Sequence, residues 1–321
     1  MADMSGVQSD RTRDALRAAH LYYLQDLTMD AIAGELGTSR STVSRLLGLA
    51  RSSGLVEIQI RSPLDQISQV QREIQRRFDV SAHIVPVPDH SSEVDRLERV
   101  ALSAARILGS FFDSTMTMGI AWGSTMSAIS RHLVAKKTHS SRIVQLNGAG
   151  NVQTTGIDYA SEILRRFGDA YGASVHHFPV PAFFDDPATK EALWRERSTR
   201  RVLEIQSHMD VALFGIGSPD AAVPSHVYTA GYLGDDDFRM LRDSDVVGDV
   251  ATVFFRADGS DAGIALNARA TGPDFRTLRH VARRVCVSSG LSKIHALHGA
   301  LAAELVTDLI IDESTARALI A

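Results

Sequence analysis

The hydrophobic pattern of residues 28–53, TMDAIAGELGTSRSTVSRLLGLARSS, predicts two short helices joined by a tight turn. The apolar residues that recur at helical spacing, and can close one core, are Leu27, Ile32, Leu36, Val43, Leu46 and Leu47. Gly37 ends the first helix, where a left-handed backbone disfavours a side chain. Thr28 and Ser39 are suited to cap the first and the second helix. This is the buried framework of a helix-turn-helix.

The exposed face of the second predicted helix carries hydroxyl and guanidinium groups and no acid. Residues 38–62 contain four arginines and one glutamate, a local net charge of +3 in a chain whose formal net charge is −4. Hydroxyls and helix N-termini suit phosphate contacts, and arginine can bind the guanine edge in the major groove. The pattern favours site-specific DNA recognition over the alternative of a solvated helix face. The candidate DNA-binding residues are Thr28, Ser39, Arg40, Ser41, Thr42, Ser44, Arg45 and Arg51.

The segment that follows predicts a wing and a linker. Residues 55–60 alternate like a short strand, which would form the wing of a winged helix with Arg61 at its tip. Pro63 opens a helix with a narrow apolar stripe, which fits a short coiled-coil linker or a surface helix packed on its own domain. We therefore predict a helix-turn-helix DNA-binding domain at 1–62, a linker helix at 63–80 and an effector domain at 81–321.

From residue 81 onward one pattern repeats: an apolar strand, a loop of small residues, and then in most copies a clear helix. The strands of four such copies lie at 116–121, 142–146, 210–214 and 284–287. Continuous apolar strands that alternate with helices predict a doubly wound, mainly parallel sheet covered on both faces. The sequence therefore predicts an α/β fold for this part of the chain.

The loops after these strands indicate an anion-binding pocket. Parallel sheets bind ligands at the carboxyl ends of their strands, and these loops contain Gly, Ser, Thr or Asn. Such loops expose backbone N–H groups that favour a phosphate, although each loop alone is equally compatible with a tight turn. Lys293 at a helix N-terminus opposes the helix dipole, a cost that an anionic ligand would offset. Asp249 lies in an apolar stretch and is a candidate polar contact.

Composition narrows the classes of function. A chain of 321 residues with 44% hydrophobic and 22% charged residues is typical of a globular protein with two or three domains. The single cysteine, Cys286, excludes an intrachain disulfide and a cysteine-cluster metal site. There is no Walker-type phosphate-binding motif, and no apolar run is long enough to span a membrane. We expect a cytoplasmic protein without a metal or a cofactor.

Both ends of the chain resemble one family, the SorC/DeoR-type sugar-responsive transcriptional regulators. The resemblance includes the helix-turn-helix region and the motifs GIAWGST, QLNGAGN, DVALFGIGS, VGDVATVFFRADG and LVTDLIIDESTARALI. It implies an effector domain related in fold to sugar-phosphate isomerases, a phosphorylated sugar or polyol as effector, a double-stranded DNA operator, and a homodimer or homotetramer. By position it implies that the pocket is lined by Gly123, Ser124, Thr125, Asn147, Gly148, Gly217, Ser218, Asp249 and Lys293.

Two functions fit these features. The first is a ligand-gated transcription factor with no catalytic residues. The second is a sugar-phosphate isomerase or deaminase with an appended DNA-binding module, which would need a positioned general base. Asp249 and Lys293 cannot be assigned that role from sequence, so we expect the regulator.

Overall fold

The computed structural model of the chain describes residues 4–56, 63–222 and 225–321. The chain forms two compact units, which consist of residues 1–63 and 64–321. The strand predicted at 55–60 and the wing tip at Arg61 lie mainly in residues 57–62, outside the described residues. Within the described part of the chain, every helix is too short or too polar to cross a membrane.

The first unit is helical: α1 spans Met4–Tyr23, α2 spans Met29–Glu35 and α3 spans Arg40–Ser52. Its apolar core is the predicted one, since Ile32 and Val43 are fully buried and Leu47 is nearly so. Gly37 has a φ of 60°, the left-handed conformation expected between the two helices. The tight turn and the core between α2 and α3 are thereby confirmed.

The second unit contains the rest of the elements. Its helices are α4 (Pro63–Phe78), α5 (Glu93–Phe111), α6 (Ser124–Arg131), α7 (Ile157–Tyr171), α8 (Pro187–Trp194), α9 (Arg197–Ser207), α10 (His226–Thr229), α11 (Asp235–Asp243), α12 (Phe275–His280), α13 (Ile294–Ala302) and α14 (Glu313–Ile320). Its strands are β1 (Ser81–Val85), β2 (Thr117–Ile120), β3 (Arg142–Gln145), β4 (Ser174–His176), β5 (Val211–Gly215), β6 (Val246–Val250), β7 (Val253–Arg256), β8 (Arg283–Ser288) and β9 (Asp308–Asp312).

Seven of these strands form one parallel sheet in the order β1-β9-β8-β5-β2-β3-β4. The predicted α/β fold with a mainly parallel sheet is therefore confirmed. Strand β2 is buried along its whole length, which is why its residues are apolar or small in continuous sequence. One apolar cluster includes Leu108, Ile129 and Phe167, and a second includes Phe214 and Leu297.

The chain reverses its direction across the sheet between β2 and β5. It runs from β2 outward through β3 to β4, and then returns to place β5 on the other side of β2. A crevice opens at the carboxyl ends of the strands at such a reversal, and this is where open α/β sheets bind ligands. The loops after β2 and β5 flank that position.

Three parts of the second unit were not predicted. Strand β4 has three residues, and helices α8 and α9 follow it. Strands β6 and β7 form a separate antiparallel pair, which places Asp249 in a strand. Strand β4 is too short to show a periodicity in sequence, and Gly248 and Asp249 interrupt the apolar run of β6.

Helix α4 begins at the predicted residue, Pro63, and packs on the second unit. Val70 and Ile74 are buried in its second apolar cluster, and Gln71 donates a hydrogen bond of 3.1 Å to the Ala82 carbonyl. This packing corresponds to the alternative of a helix resting on its own domain. The division at 62 and 80 remains a prediction.

Candidate functional site

Seven of the nine predicted effector residues line one small cleft at the carboxyl ends of β2, β3 and β5. The cleft has a volume of about 40 Å³, close to the space of one water molecule. Its predicted residues are Gly123, Ser124, Thr125, Asn147, Gly217, Asp249 and Lys293. The fold therefore brings together loops that are separated by up to 170 positions in the sequence, from residue 123 to residue 293.

Gly148 and Ser218 do not line the cleft. The Gly148 amide donates to Thr271 Oγ1 at 3.0 Å, and its carbonyl accepts from Trp122 Nε1 at 2.7 Å. A Cβ at Gly148 would lie 2.1 Å from the Pro181 carbonyl oxygen, so the position requires glycine. The Ser218 hydroxyl accepts from the Asp220 amide at 3.3 Å. Both residues shape the loops behind the cleft.

The loop after β2 presents a helix N-terminus to the cleft. Gly123 is the N-cap of α6 with a φ of 142°, and among the described residues no side chain caps this helix. The first N–H groups of an α-helix have no partner within the helix and attract anions. Residues Ser124 and Thr125 add hydroxyl groups at the same place, so this wall supplies hydrogen-bond donors.

Asp249 is held in place by the loop after β5. Its backbone exchanges hydrogen bonds of 3.0 and 3.1 Å with Gly217, and its Oδ2 accepts from the Thr252 amide at 3.1 Å. A Cβ at Gly217 would lie 1.9 Å from Asp249 Oδ1, so only glycine leaves room for this carboxylate. The side chain is therefore fixed from two directions.

The Asp249 carboxyl group is strongly perturbed. Burial raises its pKa to about 6, against the lowering effects of the Tyr228 hydroxyl, the Thr252 amide and Lys293. Among the described residues, neither Asp249 Oδ1 nor the Tyr228 hydroxyl makes a well-formed hydrogen bond. The Tyr228 hydroxyl is thus a poorly placed donor to this carboxyl group, and a ligand hydroxyl in good geometry would gain free energy at the same acceptor.

Lys293 brings a cation into the same cleft. It is buried in a short 3-10 turn, Leu291–Lys293, that leads into α13. Burial lowers the pKa of its ammonium group, while Cys286, Asp249 and Glu93 oppose that shift. A buried ammonium group of this kind gains from an anionic partner.

Asn147 completes the polar set. Its side chain is buried at the end of β3, and its Oδ1 has no hydrogen-bond partner in the described part of the chain. The cleft thus combines anion-attracting donors at α6 and Lys293 with acceptors at Asn147 and Asp249. This arrangement suits a molecule that carries both an anionic group and hydroxyl groups.

Residues in and beside α10 line the cleft, and they were missed by sequence reasoning. Ser225 and Val227 line the cleft, and Tyr232 stacks on Trp122 with ring centroids 4.9 Å apart. Tyr228 packs edge-on against Phe254. No local pattern marks these positions, because their role depends on a loop folding back over the sheet.

A larger cavity of about 1210 Å³ lies beyond the ends of β3 and β4. Its walls include Phe178 and Tyr232, and among the described residues none of its side chains has a buried polar atom without a hydrogen-bond partner. Arg269 pairs with Asp237 at 2.7 Å, and Asp186 accepts from the Ala188 amide at 3.0 Å at the start of α8. The smaller cleft, where buried polar atoms lack partners, is therefore the better ligand site despite its volume.

The candidate DNA-binding residues divide into capping and exposed groups. Thr28 Oγ1 accepts from the Ala31 amide and Ser39 Oγ from the Thr42 amide, each at 3.3 Å, so both residues cap helices as predicted. Ser41, Ser44, Arg45 and Arg51 are exposed, and Thr42 is half-buried.

Two contacts of the arginines were not predicted. Arg40 lies 3.8 Å from Asp30 of α2, and both side chains are about 70% exposed. Arg45 Nη2 donates to Thr42 Oγ1 at 3.3 Å. An exposed ion pair contributes only about 0–1 kcal/mol, so Arg40 can exchange Asp30 for a phosphate group at little cost. Both guanidinium groups are therefore exposed and available to a partner.

Comparison with known proteins agrees with this architecture. Residues 62–321 match the family model described as "Putative sugar-binding domain". The chain is 30% identical to the deoxyribonucleoside regulator of Bacillus subtilis over 310 residues, which cover 95% of this chain and 96% of that protein. It is 29% identical to the transcriptional regulator LsrR of Klebsiella pneumoniae, over 95% of this chain and 92% of that protein.

Solved structures give the same result. The crystal structure of a domain of a possible sugar-binding transcriptional regulator from Arthrobacter aurescens TC1 is 56% identical, with a TM-score of 0.76. It covers 81% of this chain and 100% of that chain. The full-length sorbitol operon regulator SorC from Klebsiella pneumoniae shares the fold at 22% identity and a TM-score of 0.73, over 97% of this chain and 100% of that one. The chain belongs to the SorC/DeoR-type family of transcriptional regulators with a sugar-binding domain.

Proposed function

We propose that this protein is a DNA-binding transcriptional regulator whose operator affinity is controlled by a phosphorylated sugar, or a related metabolite, bound in the cleft. The observation that carries the proposal is the cleft itself. It contains the N-terminus of α6, the buried Lys293, the unpartnered Asn147 Oδ1 and the buried Asp249 carboxyl group. The relatives are named regulators of transcription, which supports a non-enzymatic role.

The first unit would bind DNA as a winged helix-turn-helix with α3 as the recognition helix. Helix α3 would enter the major groove, with Arg45 at a base edge and the hydroxyls at its N-terminus near phosphates. A homodimer or homotetramer would present two such helices about 34–36 Å apart, so the operator would be an inverted repeat. The net charge of +3 over residues 38–62 supports this orientation toward DNA.

The effector would bind with its phosphate at the α6 N-terminus and Lys293, and with its hydroxyl groups at Asn147 and Asp249. This assignment follows the sign of each group, because donors and a cation attract the phosphate while acceptors attract O–H groups. Ser225 and Val227 line the cleft, so an effector that contacts them would couple binding to the conformation of this segment.

An enzyme of the sugar-phosphate isomerase or deaminase type is the alternative. The specific observation in its favour is Asp249, whose pKa of about 6 is compatible with a general base. Sustained turnover of any sugar phosphate by the purified protein would favour this alternative over the regulator.

The direct experiment is a thermal-shift screen that pairs each sugar or polyol with its phosphate ester. A ligand at 100 times its Kd stabilises the native state by about 2.7 kcal/mol, so a true effector should raise the Tm by several degrees. We expect phosphate esters to raise the Tm and their parent sugars to have much smaller effects. Thr125→Ala and Lys293→Ala should abolish the shift.

The matched control is Thr189→Ala, which removes a hydroxyl from the larger cavity rather than from the cleft. This variant should retain the full shift. A shift that survives in Lys293→Ala and disappears in Thr189→Ala would place the effector in the larger cavity and refute the assignment.

A further inference from the structure

Behind the cleft lies a cluster of polar groups around the Asp312 carboxylate, which is completely buried at the junction of β9 and α14. Its Oδ1 accepts hydrogen bonds from Arg96 Nη1 at 2.7 Å, from the Ser314 hydroxyl at 2.7 Å and from the Thr315 amide at 3.1 Å. Its Oδ2 accepts from the Thr315 hydroxyl at 2.6 Å and from the Gly290 amide at 3.0 Å. A carboxylate that caps a helix needs only the first turn of that helix as donor. The contacts with Arg96 and Gly290 go beyond capping.

Arg96 reaches this cluster from a different element. It is buried in the first turns of α5, and its Nη1 donates to Asp312 and, at 2.7 Å, to the Ser314 hydroxyl. Its Nε lies 3.8 Å from Glu93 Oε1 on the same helix. A buried guanidinium group costs several kcal/mol of desolvation unless its partners are well placed. The hydrogen bonds to Asp312 and Ser314 supply such partners, and they tie α5 to the start of α14.

Gly290 is the residue through which the cluster contacts the loop after β8. Its φ of 93° is a conformation that favours glycine, and a Cβ would lie 2.1 Å from Glu93 Oε2. Asp312 binds its amide from one side while Glu93 packs against it from the other. The Gly290 carbonyl in turn accepts from the Lys293 amide at 3.2 Å. The backbone of Lys293 is thus bonded directly to Gly290, the residue that Asp312 holds.

We propose that Arg96 is a positioning residue which, through Asp312 and Gly290, holds the loop after β8 so that Lys293 is directed into the effector cleft. Three separate elements meet in this arrangement: α5 supplies Arg96 and Glu93, the β9–α14 junction supplies Asp312, and the β8 loop supplies Gly290. Glu93 and Lys293 also line one narrow crevice together with Ser124 of the cleft. The expected effect of Arg96 on ligand binding rests on the proposed function. Its expected effect on the position of Lys293 does not.

The chain offers a matched control at the opposite end of β9. Arg283 Nη1 pairs with Asp308 Oδ1 at 2.7 Å, the same distance as the Arg96–Asp312 pair, and Asp308 is the first residue of the strand whose last residue is Asp312. Arg283 is more exposed than Arg96, and it is the first residue of β8, at the opposite end of that strand from the loop that contains Gly290. Arg283→Gln therefore removes an arginine–aspartate pair without touching the loop that carries Lys293.

The first test measures the chemical protection of Lys293 in the ligand-free, full-length protein. Brief acetylation with acetic anhydride, followed by peptide mass spectrometry, gives the labelling rate of Lys293 relative to exposed lysines. We expect Arg96→Gln to raise this rate about tenfold or more, because loss of a hydrogen bond to a charged group changes a local opening equilibrium by at least that factor. Arg283→Gln should leave Lys293 protected.

Ser314→Ala keeps the test decisive should Arg96→Gln fail to fold. It deletes one hydroxyl that accepts from Arg96 and donates to Asp312, and it should give a smaller rise in Lys293 labelling. Arg96→Lys, which keeps a cation beside Asp312, should restore much of the protection. Equal protection of Lys293 in folded Arg96→Gln and in Arg283→Gln would overturn the proposal.

The second test uses inorganic phosphate as the probe in isothermal titration calorimetry. If phosphate binds the wild-type protein, Arg96→Gln should weaken the affinity for phosphate about tenfold, because the charge-assisted contact of Lys293 depends on the hydrogen bonds of Arg96, Asp312 and Gly290. Arg283→Gln should leave the phosphate affinity unchanged. Equal phosphate affinity in the wild type and in Arg96→Gln would contradict the positioning role. A wild-type protein that binds no phosphate would refute the proposed phosphate subsite, and the labelling of Lys293 would still decide whether Arg96 positions the loop.

Discussion

Replacement of Asp249 by asparagine should stabilise the protein above pH 6 while it weakens effector binding. The carboxyl group is fully buried, and its pKa rises from an ordinary 3.8 to about 6. The folded state therefore holds this proton more tightly than the unfolded chain does. The wild-type protein therefore loses free energy of unfolding as the Asp249 carboxyl group ionises. This loss is absent below about pH 4, develops as the pH rises to about 6 and is complete above that value.

The size of the effect follows from the shift. A difference of roughly two pKa units corresponds to about 3 kcal/mol at neutral pH. Asp249 also supports the charge of Lys293, which loses that support in the variant. We therefore expect a net gain of about 1–3 kcal/mol at pH 8, seen as a rise in Tm of at least about 2 °C. At pH 5 the gain should fall to roughly half.

Asp312→Asn is a control in which the change in stability at pH 8 should have the opposite sign. Burial would raise the pKa of Asp312, but hydrogen bonds from Thr315, Gly290 and Ser314 outweigh it and hold the pKa below its usual range. The stability from this carboxylate is present above its unfolded pKa and lost as the pH falls through its folded pKa, so Asp312→Asn should lower the Tm at pH 8. An Asp249→Asn variant that is less stable than wild type at pH 8, or that shows no change with pH, would refute the reasoning.

Three further variants test separate parts of the account. Arg45→Ala should weaken binding to a selected operator by about 1–3 kcal/mol in fluorescence anisotropy without lowering the Tm, and unchanged affinity would remove Arg45 from the base-reading residues. Gly217→Ala should abolish the effector-induced Tm shift, because its Cβ would lie 1.9 Å from Asp249 Oδ1. Gly109→Ala is the control and should keep that shift, because a Cβ at Gly109 would meet nothing within 4 Å. Val43→Ala truncates a fully buried side chain of the first unit and should cost about 2 kcal/mol there. Hydrogen exchange should show faster opening of α2 and α3 and unchanged protection of the parallel sheet, and uniform loss of protection would contradict a cost confined to the first unit.

Sequence patterns predicted the parts of this protein that depend on local burial. Strands of four or five apolar residues, such as β2 and β5, show as continuous runs because the sheet covers both their faces. The loops after them were recognisable because parallel strands present their carboxyl ends at one edge. The placement of Gly123, Asn147 and Lys293 in one cleft follows from that rule.

The features that were missed depend on contacts between distant parts of the chain. Arg96 and Asp312 form a buried pair across 216 positions, and no periodicity relates them. The position of Val227 in the wall of the cleft, and the buried position of Gly148 behind it, depend on how long loops fold back over the sheet. Strand β4 is too short to leave a pattern of its own.

The most direct test of the central claim is the operator affinity of the full-length protein with and without the sugar phosphate that gives the largest thermal shift. The operator would be selected from random duplexes, and affinity measured for the wild type and for Lys293→Ala. We predict that the ligand changes the wild-type Kd at least about fivefold, the lower end of typical allosteric coupling. Lys293→Ala should bind the same DNA with unchanged affinity and show no response. A ligand response of equal size in both proteins would contradict control through the cleft.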